Sequence, residues 1–134
     1  MIVAGGRGRR PERGGELRLT RRQYEYVHET LTRELRPATP GPLLVVVHGA
    51  GTGVDQAADD WACGRPEAAP ERHPADWAKH RRAAGPIRND AMAERGAAIC
   101  LAFPDRRESP GTWDCVKSCA ERGIPVRIFP LPDA

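Results

Sequence analysis

The stretch from Leu43 to Asp60, LLVVVHGAGTGVDQAADD, constrains the fold of this chain more than any other. An apolar run from Leu43 to Val47 passes through His48 into a turn containing Gly49, Gly51, Thr52 and Gly53, and a helix is expected from about Val54. A run without alternation suits a central parallel strand covered on both faces. Strand, glycine turn and helix in this order are how Rossmann-like folds cradle phosphate. The glycines let amides approach an anion, and the helix dipole favours its charge. Asp55 is the odd residue, because a carboxylate beside a phosphate repels it. A helix cap, an arginine partner and an acceptor for a ribose hydroxyl are the readings open to it. A tight turn with no ligand is the alternative for the whole stretch.

The flanking pattern alternates strands with helices. Met1 to Ala4 reads as a first strand ending in Gly5, Gly6 and Arg7, and 8–16 as an exposed loop. Behind Thr20, an amphipathic helix over 21–35 carries Tyr24, Val27, His28, Leu31 and Leu35 on one face, and Pro37, Pro40 and Pro42 end it. His28 is expected as an interface residue. Val54, Ala57, Ala58 and Trp61 make the apolar face of the next helix, closed by Gly64, and any strand in 65–73 is short and at an edge. Gly85 and Pro86 set a turn before a helix over 87–95, which puts Arg88 and Asn89 at a helix N-terminus. Ala97 to Phe103 is a second fully buried strand, stopped by Pro104. After a charged loop, Gly111 and Thr112 begin a helix turning Val116, Cys119 and Ala120 inward, followed by Gly123 and a last strand over 125–129.

This order predicts one α/β domain over 1–134, a Rossmann-like three-layer sandwich around a mostly parallel sheet of about five strands. Ligands of such sheets sit at the carboxyl ends of the strands, the edge where Gly5, Gly49 and Pro104 to Thr112 would all lie.

Composition excludes several classes. With 21 basic against 18 acidic residues, a net charge of +3 is too balanced for a dedicated nucleic-acid binder. Arg7, Arg9, Arg10 and Arg13 read as a solvated loop, with a phosphate clamp as the alternative. No apolar stretch is long enough to cross a bilayer and no signal-peptide pattern opens the chain, so a cytoplasmic protein is expected. Cys63, Cys100, Cys115 and Cys119 contain no CxxC pair, and read as small, mostly buried hydrophobes in a reducing compartment in place of a zinc site or disulfide framework. No metal or cofactor is expected. Trp77 reads as a stacking platform or a partly buried anchor, and His80 as a titrating group or an exposed one.

Taken together, GGR at Gly5, HGAGTGVD from His48, PADW from Pro74, AGPIRN from Ala84, Met92, LAFP from Leu101 and GT at Gly111 resemble the YspA, cpYpsA-related branch of the SLOG superfamily. That superfamily also holds the LOG-type cytokinin-activating phosphoribohydrolases and the DNA-processing protein DprA. The resemblance covers nearly the whole chain in order. It implies a Rossmann-like domain that binds a nucleotide or nucleotide-derived signal, in a branch linked by genome context to conflict between phages and hosts. The ligand contacts it implies are Gly5, Gly6, Arg7, Gly49, Gly51, Thr52, Gly53, Asp55, Arg88, Asn89, Pro104, Gly111 and Thr112. LOG enzymes carry a PGGxGTxxE signature whose glutamate acts on the N-glycosidic bond. Here the loop after Pro104 is longer and lacks the paired glycines, and Cys115 stands where that glutamate would fall. Asp114 is one position early, a rotation of about 100° on a helix. Binding without turnover is therefore the preferred expectation, and N-glycosidic hydrolysis using Asp55 and Asp114 the alternative. A DNA-binding role by analogy with DprA ranks last. LOG relatives associate, and Trp61 or Trp113 could serve such an interface or be buried.

Overall fold

The short apolar run at the start of the chain forms the middle of the sheet. In the computed structural model, which describes residues 1–8, 17–35, 41–106 and 109–133, β1 (Ile2–Gly5) lies between β2 (Leu44–His48) and β4 (Cys100–Phe103). β3 (Ala68–Arg72) and β5 (Val126–Ile128) form the edges, giving the order β3-β2-β1-β4-β5 with every pairing parallel. The fold is a Rossmann-like three-layer α/β sandwich, as the alternation of elements predicts.

Side chains alternate across the strands and so feed two cores. On one face Val3, Leu101 and Phe103 meet Val27 and Leu31 of α1 (Arg21–Glu34) and Val54, Ala57, Ala58 and Trp61 of α2 (Val54–Cys63). On the other, Ile2, Ala4 and Cys100 meet Met92 and Ala93 of α4 (Ala84–Glu94) and Cys115 and Cys119 of α5 (Pro110–Glu121). α1 begins at Thr20 in a reciprocal cap: its hydroxyl accepts from the Gln23 amide (3.2 Å), and its own amide donates to the Gln23 side chain (3.1 Å). His28 is an interface residue, its Nε2 donating to the Ala57 carbonyl (2.8 Å); burial lowers its pKa.

Several expectations change. β2 is beside the centre of the sheet, not at it, and its second face is covered only in part: Val47 packs against the α4 and α5 core, and Val45 does not reach it. Val45 is consequently 38% exposed. α4 starts at Ala84, not Ile87, since the amides of a first turn lack helical partners and Pro86 loses nothing there. Arg88 and Asn89 thus lie in its second turn. α5 turns Thr112, Cys115, Ser118 and Cys119 inward and leaves Ala120 exposed and Val116 half-buried; two polar residues on the buried stripe conceal it from a hydrophobicity pattern. Ahead of α4, α3 (Trp77–His80) and a single 3-10 turn (Arg81–Ala83) were not foreseen as elements. Trp61 is buried, its indole donating to Thr32 (3.0 Å), while Trp113 is half exposed. Most of the arginine-rich loop expected over 8–16, and Pro37 and Pro40, lie outside the described residues.

The turns after β1 and β2 interlock through backbone. Val54 N–H donates to the Gly6 carbonyl (3.0 Å), and a Cβ on Gly53 would lie 2.3 Å from that oxygen and 2.4 Å from the Arg7 carbonyl carbon. Gly53 has φ +73°, while Gly123 has φ +72° with nothing within 4 Å of a Cβ. Gly53→Ala should therefore lower stability by roughly 3 kcal/mol or more, from strain plus collision, and Gly123→Ala by about 1 kcal/mol from strain alone. Urea unfolding of both variants tests this; equal losses would refute the interlock.

Candidate functional site

The order β3-β2-β1-β4-β5 reverses direction between β1 and β4, and at such a switch point the connecting loops diverge to opposite faces and leave a crevice at the carboxyl ends of the strands. A cavity of about 670 Å³ occupies this place. Gly5, Gly6, Arg7 and Gly8 line it from the β1 turn, Asp105 and Ser109 to Thr112 from the loop before α5, and Gly49 and Asp55 from the β2–α2 connection. Arg88, Asn89 and Met92 of α4, with Asp114 and Cys115 of α5, complete its wall, and Trp77 and Arg82 stand on the α3 side.

The β2–α2 loop satisfies its own amides. Ala50 N–H, at φ +57°, donates to His48 Nδ1 (3.0 Å), and Gly51 N–H donates to Asp55 Oδ2 (3.0 Å). An amide donor at Nδ1 leaves the ring proton of His48 on Nε2, which donates to Asp59 Oδ2 (2.8 Å). Asp59 also receives both arms of Arg72 (2.6 and 3.0 Å) and the Cys63 thiol (3.5 Å). The bidentate Arg72 bond, then the His48 and Cys63 bonds, hold the Asp59 carboxyl down at about 2 against the cost of its burial. For Asp55 burial dominates and pushes its carboxyl up, opposed by the Gly51 amide and then by the charges of Arg88 and Arg7.

A second polar chain crosses the cavity wall. Arg88 donates to the carbonyls of Gly49 and His73 and, through Nε, to Asn89 Oδ1 (2.8 Å). Asn89 Nδ2 donates on to the Gly111 carbonyl (3.2 Å) and to Asp114 Oδ2 (3.0 Å). The turns after β2 and before α5 are thereby tied through two residues of α4. Desolvation lowers the pKa of Arg88, with Asp55 opposing it first.

Of the residues singled out from sequence, Gly5, Gly6, Arg7, Gly49, Asp55, Arg88, Asn89, Gly111, Thr112 and Asp114 line this one cavity. Four do not. Gly51 gives its amide to Asp55; Thr52 donates its hydroxyl to the Arg7 carbonyl (3.0 Å); Gly53 admits the β1 turn. Pro104 is buried and its carbonyl accepts from Leu131 N–H (3.0 Å). Arg82, Asp105 and Ser109 were not singled out, because nothing in their local sequence signals that the chain carries each to the rim. Trp77, read either as a platform or as an anchor, is 48% exposed at the cavity, with the Arg7 guanidinium 5.4 Å from its ring centroid.

Comparison with known proteins gives a relative in a phage. The Gene 61 protein of Mycobacterium phage D29 is 44% identical over 107 residues, 77% of this chain and 83% of the phage protein. The chain belongs to the family of that phage protein. No family model matches it, and no solved structure does. Among the described residues of this family member, no helix is long and apolar enough to cross a membrane.

The Asp59 network has a pH signature. Its folded pKa, about 2, lies below the ordinary 3.8, so the stabilisation is present above pH 4 and is lost as pH falls from 4 towards 2, on the order of 2 kcal/mol in all. Chemical unfolding across this range should show that slope in the wild type and a flatter one in Asp59→Asn. An unchanged slope in the variant would remove Asp59 as its source.

Proposed function

We propose that the cavity at the switch point binds a nucleotide-derived small molecule, the reading implied by the likeness to the cpYpsA-related SLOG branch. The observation that carries it is the convergence of three strand-end turns on one cavity of about 670 Å³, a volume within the range of small-molecule sites. Trp77 offers a half-exposed ring face for a base. Asp55 and Asp114 are acceptors for ribose hydroxyls on the cavity wall.

A phosphate belongs on the β4–α5 side. At the start of α2, the Gly51 amide already serves Asp55, and that carboxylate repels a second anion. At the start of α5, Gly111 is exposed with open space around its Cα, the helix dipole is favourable, and Arg7 and Arg82 line the same cavity. The phage origin of the relative is compatible with the link to conflict between phages and hosts that the resemblance implies.

One observation favours a second reading, N-glycosidic hydrolysis. Asp55 and Asp114 line one cavity, and burial pushes the Asp55 carboxyl above its ordinary value. One carboxylate would stabilise positive charge developing on the ribose, and the other would assist departure of the base.

Thermal unfolding in the presence of nucleoside monophosphates, ADP-ribose and cyclic nucleotides tests binding. A cognate ligand at 100 times its Kd should add about 2.7 kcal/mol, and Trp77→Ala should weaken it by about 1–3 kcal/mol, the value of one base stacked on an aromatic ring. A panel in which no compound raises Tm sinks the binding reading. Release of free base, followed by chromatography and abolished by Asp114→Asn, would establish hydrolysis; intact nucleotide at high protein concentration would remove it.

A further inference from the structure

The topology gathers three thiols that the sequence spacing keeps apart. Cys115 and Cys119 are four residues apart and share one face of α5, and that face packs on β4 where Cys100 points to the same side. All three residues are buried, and no two of their sulfurs are more than 4.8 Å apart. We propose that Cys100, Cys115 and Cys119 form a trithiolate site for one soft d10 cation, copper(I) or zinc(II), behind the wall of the cavity.

Geometry supports the assignment. Sulfurs bound at about 2.3 Å to a common metal stand about 4 Å from one another, so the cluster closes on an ion with sulfur shifts below about 1 Å and no rearrangement of β4 or α5. The donor set is all sulfur, the chemistry that selects copper(I) and zinc over hard cations. Ile2, Ala4, Ala93 and Ile124 surround it with an apolar shell, and Met92 packs in the same cluster. Cys115 also lines the cavity, which gives an ion a route in from solvent.

Only one of the three thiols is prepared to lose its proton without an ion, since Cys100 and Cys115 are pushed up by the hydrogen bonds shared within the cluster and by burial. Hydrogen bonds from Cys100 and Cys115 hold the Cys119 thiol well below its ordinary range, with the Arg122 charge assisting. Ion binding replaces thiol protons with metal–sulfur bonds and releases up to one proton per sulfur, with no change of oxidation state. Cys63 provides an internal control, since it is exposed and its thiol is engaged with Asp59.

The test is anaerobic titration of the reduced full-length chain with copper(I) against bathocuproine disulfonate, and with zinc(II) against pyridylazoresorcinol. One equivalent should bind. Cys119→Ser should weaken it by more than about 100-fold, beyond what outer-shell changes produce, and Cys63→Ser should leave it unchanged. Retention of one ion but not the other against its chelator identifies which the site takes. Should Cys119→Ser not fold by circular dichroism, metal-edge X-ray absorption of the loaded wild type decides, and a shell of three sulfurs at about 2.3 Å is expected. Failure of both ions to bind, a nitrogen and oxygen shell, loss of binding in Cys63→Ser, or full binding in folded Cys119→Ser would each overturn the proposal.

Discussion

The bond from Gly51 N–H to the carboxylate of Asp55 determines what this site can accept. The start of α2 is where a glycine turn of this kind offers amides and a positive dipole end to an anion. Here the chain supplies the anion itself. Asp55 is half-buried, and its carboxyl is held first by the Gly51 amide, with the charges of Arg88 and Arg7 nearby. Arg88 in turn is spent on carbonyls of Gly49 and His73 and on Asn89. A cation that lines the cavity becomes part of the scaffold, which is why the proposed phosphate position lies on the opposite side of the cavity.

That shift follows from how closely the turns are packed. β1 is the centre of the sheet and its carboxyl end must sit against the first turn of α2, which the absence of side chains at Gly5 and Gly53 permits. A Cβ on Gly5 would lie 2.5 Å from Val54, and one on Gly53 would meet Gly6 and Arg7. The β1 turn is also fastened to the other side of the crevice, since Gly6 N–H donates to the Phe103 carbonyl (3.1 Å). Two of the three turns around the cavity are thus one backbone unit, and the third, before α5, joins them through Asn89. The pocket is preformed, with little ordering left to oppose binding.

The sequence disclosed the architecture and much of the rim, but not what the rim residues do. Strand and helix periods, Gly64 as a stop and the edge character of β3 depend on neighbours close in sequence, so they were legible. Ten of the residues singled out line one cavity because strand ends in a parallel sheet lie on a common edge. The errors come from tertiary choices. Whether Val45 is covered depends on where α4 and α5 settle. Whether the Gly51 amide is free depends on the rotamer of Asp55. The stripe of α5 was misplaced because Thr112 and Ser118 are buried polar residues that a hydrophobic pattern passes over.

The pair Asp114 and Cys115 shows how one position on a helix separates two chemistries. The LOG signature, from which this loop departs, would put a glutamate where Cys115 stands. That side chain is buried against β4, where a glutamate without a cation would carry a desolvation cost of several kcal/mol. A thiol suits that place neutral, as a small apolar group, and ionised only when a cation compensates it. Asp114, rotated by about 100°, instead projects where Asn89 can donate to it (3.0 Å), which keeps a carboxylate on the cavity wall but fixes it by an amide that also holds Gly111. An acid so held is suited to recognising a hydroxyl. Used as a catalytic group it would have to give up the bond that orients the start of α5, which is the physical reason binding is proposed ahead of hydrolysis.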